Sequence, residues 1–357
     1  MMNIGIRVDG SKNIGMGHIM RCISLAKSFK DAGSNVFFIS KYQQGIFAIE
    51  ENGFNLKKLS YDEQKEQEPK EEFYYGNSLE LEEESEEIIR LIEICKLDVL
   101  IIDSYNVTEK YFLKIKPYVK ILVYIDDVNA FPYPVDVVIN GNITGKYLDY
   151  KSYFKNQKFL LGPSYNLIRD EFKNISKRAV SKEVKKIMIT TGGSDPFRTM
   201  ELLIDIIRSD NSLDGIEIHG IIGVGFNNKQ ELKEKQRQYK NIVLHENVVK
   251  MSEIMLYCDI ALSSCGSTLY ELCACGTPVL GFVLADNQEF VAKKMDELGY
   301  IKFLGWYHQL KKENVNYTIK EIIHGFETRE EMVKRQQGLV DGNGTKRVVN
   351  VIREMLF

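Results

Sequence analysis

Ile4-Gly5-Ile6-Arg7-Val8, followed by Gly15-Met16-Gly17-His18-Ile19-Met20-Arg21, is the stretch from which the architecture of the chain unfolds. The first segment has the apolar character of a buried strand, and the second opens a helix predicted over 19–29. A glycine turn between them, with Gly15 and Gly17, lets a ligand come close to the backbone. The helix start adds unpaired N–H groups and the positive end of a dipole, which suit a phosphate. No third glycine follows at dinucleotide spacing, and no Gly-Lys-Ser/Thr is present, so a P-loop is excluded. His18 is the distinctive residue. A titratable base at the mouth of such a turn is placed for chemistry on a ligand; the plainer alternative is a capping or surface histidine.

Outward from this turn, apolar runs alternate with helical patterns. In the first half, strands are predicted over 3–8, 35–40, 99–103, 121–125 and 135–139, with helices over 19–32, 79–95 and 109–118. A second series starts near Lys185, with strands over 186–190, 217–222, 242–245, 260–262 and 278–283. Helices are expected there over 199–208, 229–238, 251–257 and 268–275. Such β-α-β series predict an α/β protein of two facing, doubly wound, Rossmann-like domains, with ligands at the carboxyl ends of the strands. The length, 357 residues, fits two domains. The expected division is a first domain over 1–161 carrying His18, a linker over 162–184, a second domain over 185–344, and a C-terminal helix over 345–357 that packs across the junction. The Glu-, Gln- and Lys-rich stretch Tyr61–Glu87 interrupts the rhythm and reads as an exposed insertion whose acidic run is a solvated face.

Hydrophobic content of 44%, charged content of 27% and a net charge of −3 describe a soluble globular protein without general attraction for nucleic acid or anionic membrane. No signal-peptide pattern and no membrane-length apolar window is visible. Cys22, Cys95, Cys258, Cys265, Cys273 and Cys275 do not follow zinc-site spacing and read as reduced, buried residues of a cytoplasmic protein. No metal or cofactor is expected.

Further motifs fall where predicted strands end. Thr191-Gly192-Gly193-Ser194-Asp195-Pro196 offers backbone curvature, N–H groups and a hydroxyl to a diphosphate; Ser194 or Asp195 could equally serve as a helix cap. Ser263-Ser264-Cys265-Gly266-Ser267-Thr268 leads into another helix start, and Glu271 lies one turn on. A carboxylate there can accept two hydrogen bonds from a ribose diol, or it can reach back to Ser267 or Thr268 as a capping box. Asn287 and Gln288, within Asp286-Asn287-Gln288-Glu289, face the same sheet edge or cap a helix. In the first half, Asp103-Ser104-Tyr105 and Asp126-Asp127 end apolar strands. Their carboxylates can orient His18, hold a water or bind sugar hydroxyls, against an ordinary role in turns.

Gly15-x-Gly17-His18-x-x-Arg21, Asp103-x-Tyr105, Asp126-Asp127, Gly162-x-Ser164-Tyr165-x-Leu167-Ile168-Arg169-x-Glu171-Phe172, Gly192-Gly193-Ser194-Asp195, the Ser263–Pro278 run and Asn287-Gln288 appear in that order. In this combination the chain resembles the UDP-2,4-diacetamido-2,4,6-trideoxy-β-L-altropyranose hydrolases of pseudaminic acid biosynthesis. The resemblance spans nearly all of it apart from Tyr61–Glu87 and the C-terminal tail. The turn at His18 and the segment with Tyr165 and Arg169 are its most specific parts, whereas Ser263–Pro278 is shared with MurG-type glycosyltransferases. The resemblance implies a GT-B-like fold with UDP held mainly by the second domain. It implies metal-independent hydrolysis, with water attacking C1 of the sugar, UDP leaving and the anomeric centre inverting. The family's essential histidine matches His18, and its diphosphate- and ribose-contacting region matches Gly193, Ser194, Ser267, Thr268 and Glu271. Ser104 departs from the other polar residues common between Asp103 and Tyr105.

The rival expectations are a UDP-sugar-dependent glycosyltransferase of the same fold, in which His18 deprotonates an acceptor hydroxyl, a non-catalytic nucleotide-sugar binder, a UDP-sugar 2-epimerase, and a hydrolase acting on a spore-coat or other surface sugar. The first half lacks a clear apolar, basic patch of the kind a lipid acceptor requires, which favours water as the acceptor.

Overall fold

The computed structural model describes residues 1–11, 14–60 and 78–356. They form two compact α/β units, Met1–Leu167 with Asn343–Phe357, and Ile168–Gly342. In the first, β1 (Asn3–Val8), β2 (Asn35–Ser40), β3 (Asn55–Lys58), β4 (Val99–Asp103), β5 (Ile121–Ile125), β6 (Val137–Asn140) and β7 (Lys158–Leu161) make a parallel sheet ordered β3-β2-β1-β4-β5-β6-β7. The chain winds outward from β1 to β3 and then returns to β4 on the other side of β1. Loops leaving β1 and β4 therefore diverge, which opens a crevice at their carboxyl ends. The register pairs Val8 with Asp103, so the turn carrying His18 starts beside the end of β4.

Both faces of this sheet are covered, which is why its central strands are almost wholly apolar. Ile4, Ile6 and Val8 pack with Ile19, Cys22, Ala26 and Phe29 of α1 (Gly17–Asp31) and with Val348, Val349 and Ile352 of α12 (Gly344–Leu356). The C-terminal helix thus belongs to the first unit, where the Ser28 hydroxyl donates to that of Thr345 at 2.7 Å. On the opposite face, Leu100, Ile102, Leu122 and Tyr124 pack with Ile88 and Ile92 of α3 (Ser78–Cys95) and Phe112 of α4 (Glu109–Ile115). Arg7 is the exception on that face. It is fully buried and pairs with Glu84 of α3 at 2.7 Å and with Asp9 at 2.6 Å. Burial alone would raise the Glu84 carboxyl, but the charges of Arg7 and Lys41 pull it down to about 2. The acidic stretch read as a solvated face therefore sends one carboxylate into the core, while residues 61–77 of that stretch lie outside the described residues.

In the second unit, β8 (Lys186–Thr190), β9 (Glu217–Ile222), β10 (Ile242–Glu246), β11 (Ile260–Ser264), β12 (Val279–Val283) and β13 (Lys302–Trp306) are also parallel, ordered β10-β9-β8-β11-β12-β13. Its switch point lies between β8 and β11, whose register pairs Thr190 with Ser263. Helices α5 (Thr199–Arg208), α6 (Lys229–Gln238), α7 (Met251–Tyr257), α8 (Thr268–Cys275) and α9 (Asp286–Glu297) connect the strands, followed by α10 (Lys312–His324) and α11 (Phe326–Gln336).

Strands β3, β7 and β13 were not expected from the sequence. Each lies at a sheet edge, and none has the continuous apolar run that marks a strand covered on both faces. The helix expected to reach Tyr118 stops at Ile115 and tightens into a 3₁₀ turn over Lys116–Tyr118. Pro117 has no N–H to continue the α-helical ladder.

The packing of α12 is testable. Ile352→Ala empties a fully buried position and is expected to cost about 2–5 kcal/mol of stability, read as a lowered midpoint in urea unfolding.

Candidate active site

At the switch point of the first sheet, side chains from three chain segments converge. α1 starts at Gly17, with no side-chain cap and no acidic residue in its first turn. Gly15 takes φ +84°, a backbone conformation suited to glycine, and its N–H donates to the Ser11 carbonyl at 2.8 Å, which closes the turn. His18 and Arg21, three residues apart on one helix face, then both reach Asp103 at the end of β4. His18 Nδ1 lies 2.6 Å from Asp103 Oδ1. Arg21 grips the same carboxylate through Nε and Nη2, each at 2.7 Å. Arg21 Nη2 and His18 Nδ1 lie 3.1 Å apart because both point at one oxygen. The Tyr105 ring stands edge-on to the imidazole, with centroids 5.0 Å apart.

Arg21 also holds Asp127 with two contacts of 3.0 Å. Asp127 accepts further hydrogen bonds from the Tyr105 hydroxyl and the Asn142 amide, both at 2.7 Å. Two carboxylates thus face one guanidinium beside the imidazole. Burial would raise the Asp103 carboxyl, but Arg21 and then His18 hold it far below the usual range. Asp127 is likewise depressed, with burial overcome by Arg21. Asp103 therefore stays a carboxylate acceptor, to which the imidazole donates from Nδ1–H. That leaves the Nε2 lone pair available as a base.

Asp126 faces elsewhere. It is fully buried, accepts from the hydroxyls of Tyr133 and Tyr150, and accepts from the backbone N–H groups of Val128 and Asn129. It thereby shapes the loop that presents Asp127. The sequence offers Asp126 and Asp127 together as candidate carboxylates, and of the two it is Asp127 that joins the His18 cluster. Asn142 went unnoticed altogether. Tyr165 packs against the core of this unit, half-buried.

At the switch point of the second sheet, the Gly192–Ser194 turn adjoins the end of β11. Gly192 takes φ +96°. The Gly193 carbonyl accepts from Gly225 N–H at 2.9 Å, and a Cβ on Gly223 would lie 2.4 Å from that same oxygen. Gly193 is exposed and Ser194 half-buried. Asp195 points into α5 instead, accepting from the N–H groups of Thr199 and Met200 at 2.8 and 2.9 Å. This is a cap on a helix start. Ser267 and Thr268 open α8, and Ser267 makes no capping bond with its side chain. Glu271 does not reach back to them. Its carboxylate is gripped by Arg169 at 2.8 and 3.0 Å, and Arg169 also meets Glu171 at 2.8 Å. Gln288 accepts from Leu284 N–H at 3.1 Å, and its amide nitrogen lies 3.8 Å from where a Cβ on Gly266 would stand. Asn287 is exposed at the start of α9. Gly193, Ser194, Ser267, Thr268 and Gln288 therefore gather along one sheet edge, with hydroxyls and helix N–H groups suited to an anion.

Two parallel, doubly wound units of this kind define the GT-B-type fold, and solved structures agree. MurG of Acinetobacter baumannii superposes with a TM-score of 0.69 over 99% of both chains at 12% identity. A Staphylococcus aureus MnaA–UDP co-structure gives 0.67 over 100% of this chain and 97% of its own at 14% identity. No protein-family model matches the sequence. An uncharacterized protein of Methanocaldococcus jannaschii is 30% identical over 301 residues; the alignment takes in 80% of this chain but only 56% of that longer protein. The spore coat polysaccharide biosynthesis protein SpsG of Bacillus subtilis is 25% identical over 99% of this chain and 98% of its own. The UDP-2,4-diacetamido-2,4,6-trideoxy-β-L-altropyranose hydrolase of Campylobacter jejuni is 28% identical over 84% of this chain and 98% of its own. Along most of its length the chain is thus similar both to SpsG and to this altropyranose hydrolase.

The Asp103 ion pair sets a pH dependence. A carboxyl depressed in the folded state stabilises it at pH values above the unfolded pKa of about 3.9. That contribution is lost as the pH falls through the folded value. Wild-type stability is expected to stay level from pH 7 to 5 and to fall below about pH 4. Asp103→Asn, which leaves Arg21 short of one charge partner, is expected to cost about 3 kcal/mol at pH 7 and to flatten the acid limb. Urea unfolding across the pH series reads both.

Proposed function

We propose that the protein is a UDP-sugar hydrolase. In this reading it cleaves the bond between C1 of a diacetamido-trideoxy sugar and the β-phosphate oxygen of UDP. The substrate class follows the Campylobacter relative. The observation that carries the reading is the His18–Asp103 pair at the first switch point, 2.6 Å apart and locked by Arg21.

The proposed chemistry follows from that geometry. His18 Nε2 takes a proton from water as the water oxygen bonds to C1. The C1–O bond breaks on the opposite side, its electron pair leaves with UDP, and the anomeric centre inverts. Asp103 and Asp127 stabilise the imidazolium formed, and Arg21 keeps both carboxylates ionised and placed. Base catalysis of this type is worth on the order of 10²–10⁴-fold. We assign the diphosphate to Gly193, Ser194, Ser267 and Thr268, where N–H groups and hydroxyls take up the charge of the leaving group without a metal. Asn287 and Gln288 lie along the same edge. Arg169 positions Glu271 toward the ribose, and Gly15, Gly17, Tyr105 and Tyr165 shape the sugar end. Asp126 and Asp195 act indirectly, through the loops they hold. No helix among the described residues is long and apolar enough to cross a membrane, and we place the reaction in the cytoplasm, with UDP and the free sugar as products.

His18→Ala is expected to lower hydrolysis of the UDP-sugar by about 10²–10⁴-fold with the fold intact. Turnover in H₂¹⁸O is expected to put the label in the sugar. Label in UDP would mean attack at phosphorus and would overturn the mechanism, and UDP release only on adding an acceptor alcohol would establish a glycosyltransferase instead.

A further inference from the structure

Phe197 ends the loop that follows Gly192-Gly193-Ser194, just before α5, and Tyr307 follows β13. These strands are not neighbours, since β11 and β12 lie between β8 and β13 in the sheet. At a strand spacing of about 4.8 Å, their ends are some 14 Å apart. Yet the two rings stack, with centroids 3.8 Å apart and planes within 12°. The rings meet because the loop before α5 and the turn before α10 come together where those two helices pack, while Ser267, Thr268 and Gln288 follow the two strands that lie between β8 and β13. The stack is not a core contact, because Phe197 is 46% exposed. With Phe197 exposed and Tyr307 half-buried, the pair adds modest burial but fixes the two loops that carry it.

The backbone around the pair is shaped for it. Arg198, next to Phe197, adopts φ +53°, and Gly305, two residues before Tyr307, adopts φ +100°. At its other end the Gly192–Ser194 turn is held by the Gly193–Gly225 hydrogen bond and the close approach of Gly223. The turn is thus anchored on one side through backbone and on the other through a ring stack. His308 meets both neighbouring rings, with centroids 5.7 Å from Trp306 and 5.1 Å from Tyr307.

We propose that Phe197 and Tyr307 form an aromatic clasp that pre-orders the Gly192–Ser194 turn for the diphosphate. Both are positioning residues. This rests on the assignment of UDP to that turn in the proposed function. The clasp lowers the entropy lost when the turn meets its anion, so its removal weakens nucleotide binding and raises KM more than it lowers kcat.

The test combines UDP titration calorimetry with backbone hydrogen exchange on the whole protein. Phe197→Ala and Tyr307→Ala are each expected to weaken UDP binding about three- to tenfold and to speed exchange over residues 191–198, with the unfolding midpoint nearly unchanged. The double variant should lose no more than either single one. Phe197→Tyr and Tyr307→Phe, which keep the stack, should restore both readouts. Unchanged exchange over 191–198 in Phe197→Ala overturns the clasp whatever UDP does. Wild-type protein that takes up no UDP, with exchange still accelerated in Phe197→Ala, overturns the nucleotide assignment and leaves the tether standing.

Discussion

The Asp103 carboxylate is the constraint on which the cluster at the first unit's switch point depends. It sits at the last residue of a buried strand, beside the strand that leads into the His18 turn. A lone carboxylate there would take up a proton rather than stay charged. Arg21 prevents that by gripping both oxygens, and it can do so because it lies one helical turn from His18. One guanidinium therefore ties the helix to the sheet, keeps the carboxylate ionised and shares one of its oxygens with the imidazole. Breaking this grip would disturb fold and function together.

Around that centre lies a further set of hydrogen bonds that holds it in place. Asp127 takes the other side of Arg21, with Tyr105 and Asn142 donating to it. Asp126, held by two tyrosine hydroxyls and by backbone, fixes the loop that presents Asp127. The second unit repeats the logic with different parts. There a glycine turn is held by backbone contact at one end and by stacked rings at the other, while Arg169 fixes the carboxylate of Glu271. At each switch point a small set of polar groups is backed by a set of contacts that fixes it.

Much of this was legible in the sequence. The central strands announce themselves as continuous apolar runs, and both switch-point turns carry glycine where the backbone needs it, at Gly15 and Gly192. Edge strands such as Asn55–Lys58 escaped because their pattern is polar. The site was legible in outline: His18, Arg21, Asp103 and Tyr105 are close in space as their motif implies. The choice between Asp126 and Asp127 was not legible, since it depends on how the chain turns as it leaves β5. Asp195 takes the helix-cap role that its motif leaves open beside diphosphate binding, whereas the grip of Arg169 on Glu271 was not legible, because it joins residues 102 positions apart.

The central claim is that Asp103 fixes the His18 ring with Nδ1 protonated and Nε2 free to accept a proton. Nitrogen-15 NMR of histidine-labelled protein, with His18 assigned by substitution, reads that tautomer directly in the neutral ring. The account predicts the Nδ1–H form in the wild type and a mixture weighted toward Nε2–H, the form that prevails in free imidazole side chains, in Asp103→Asn. A wild-type His18 that carries its proton on Nε2 would contradict it.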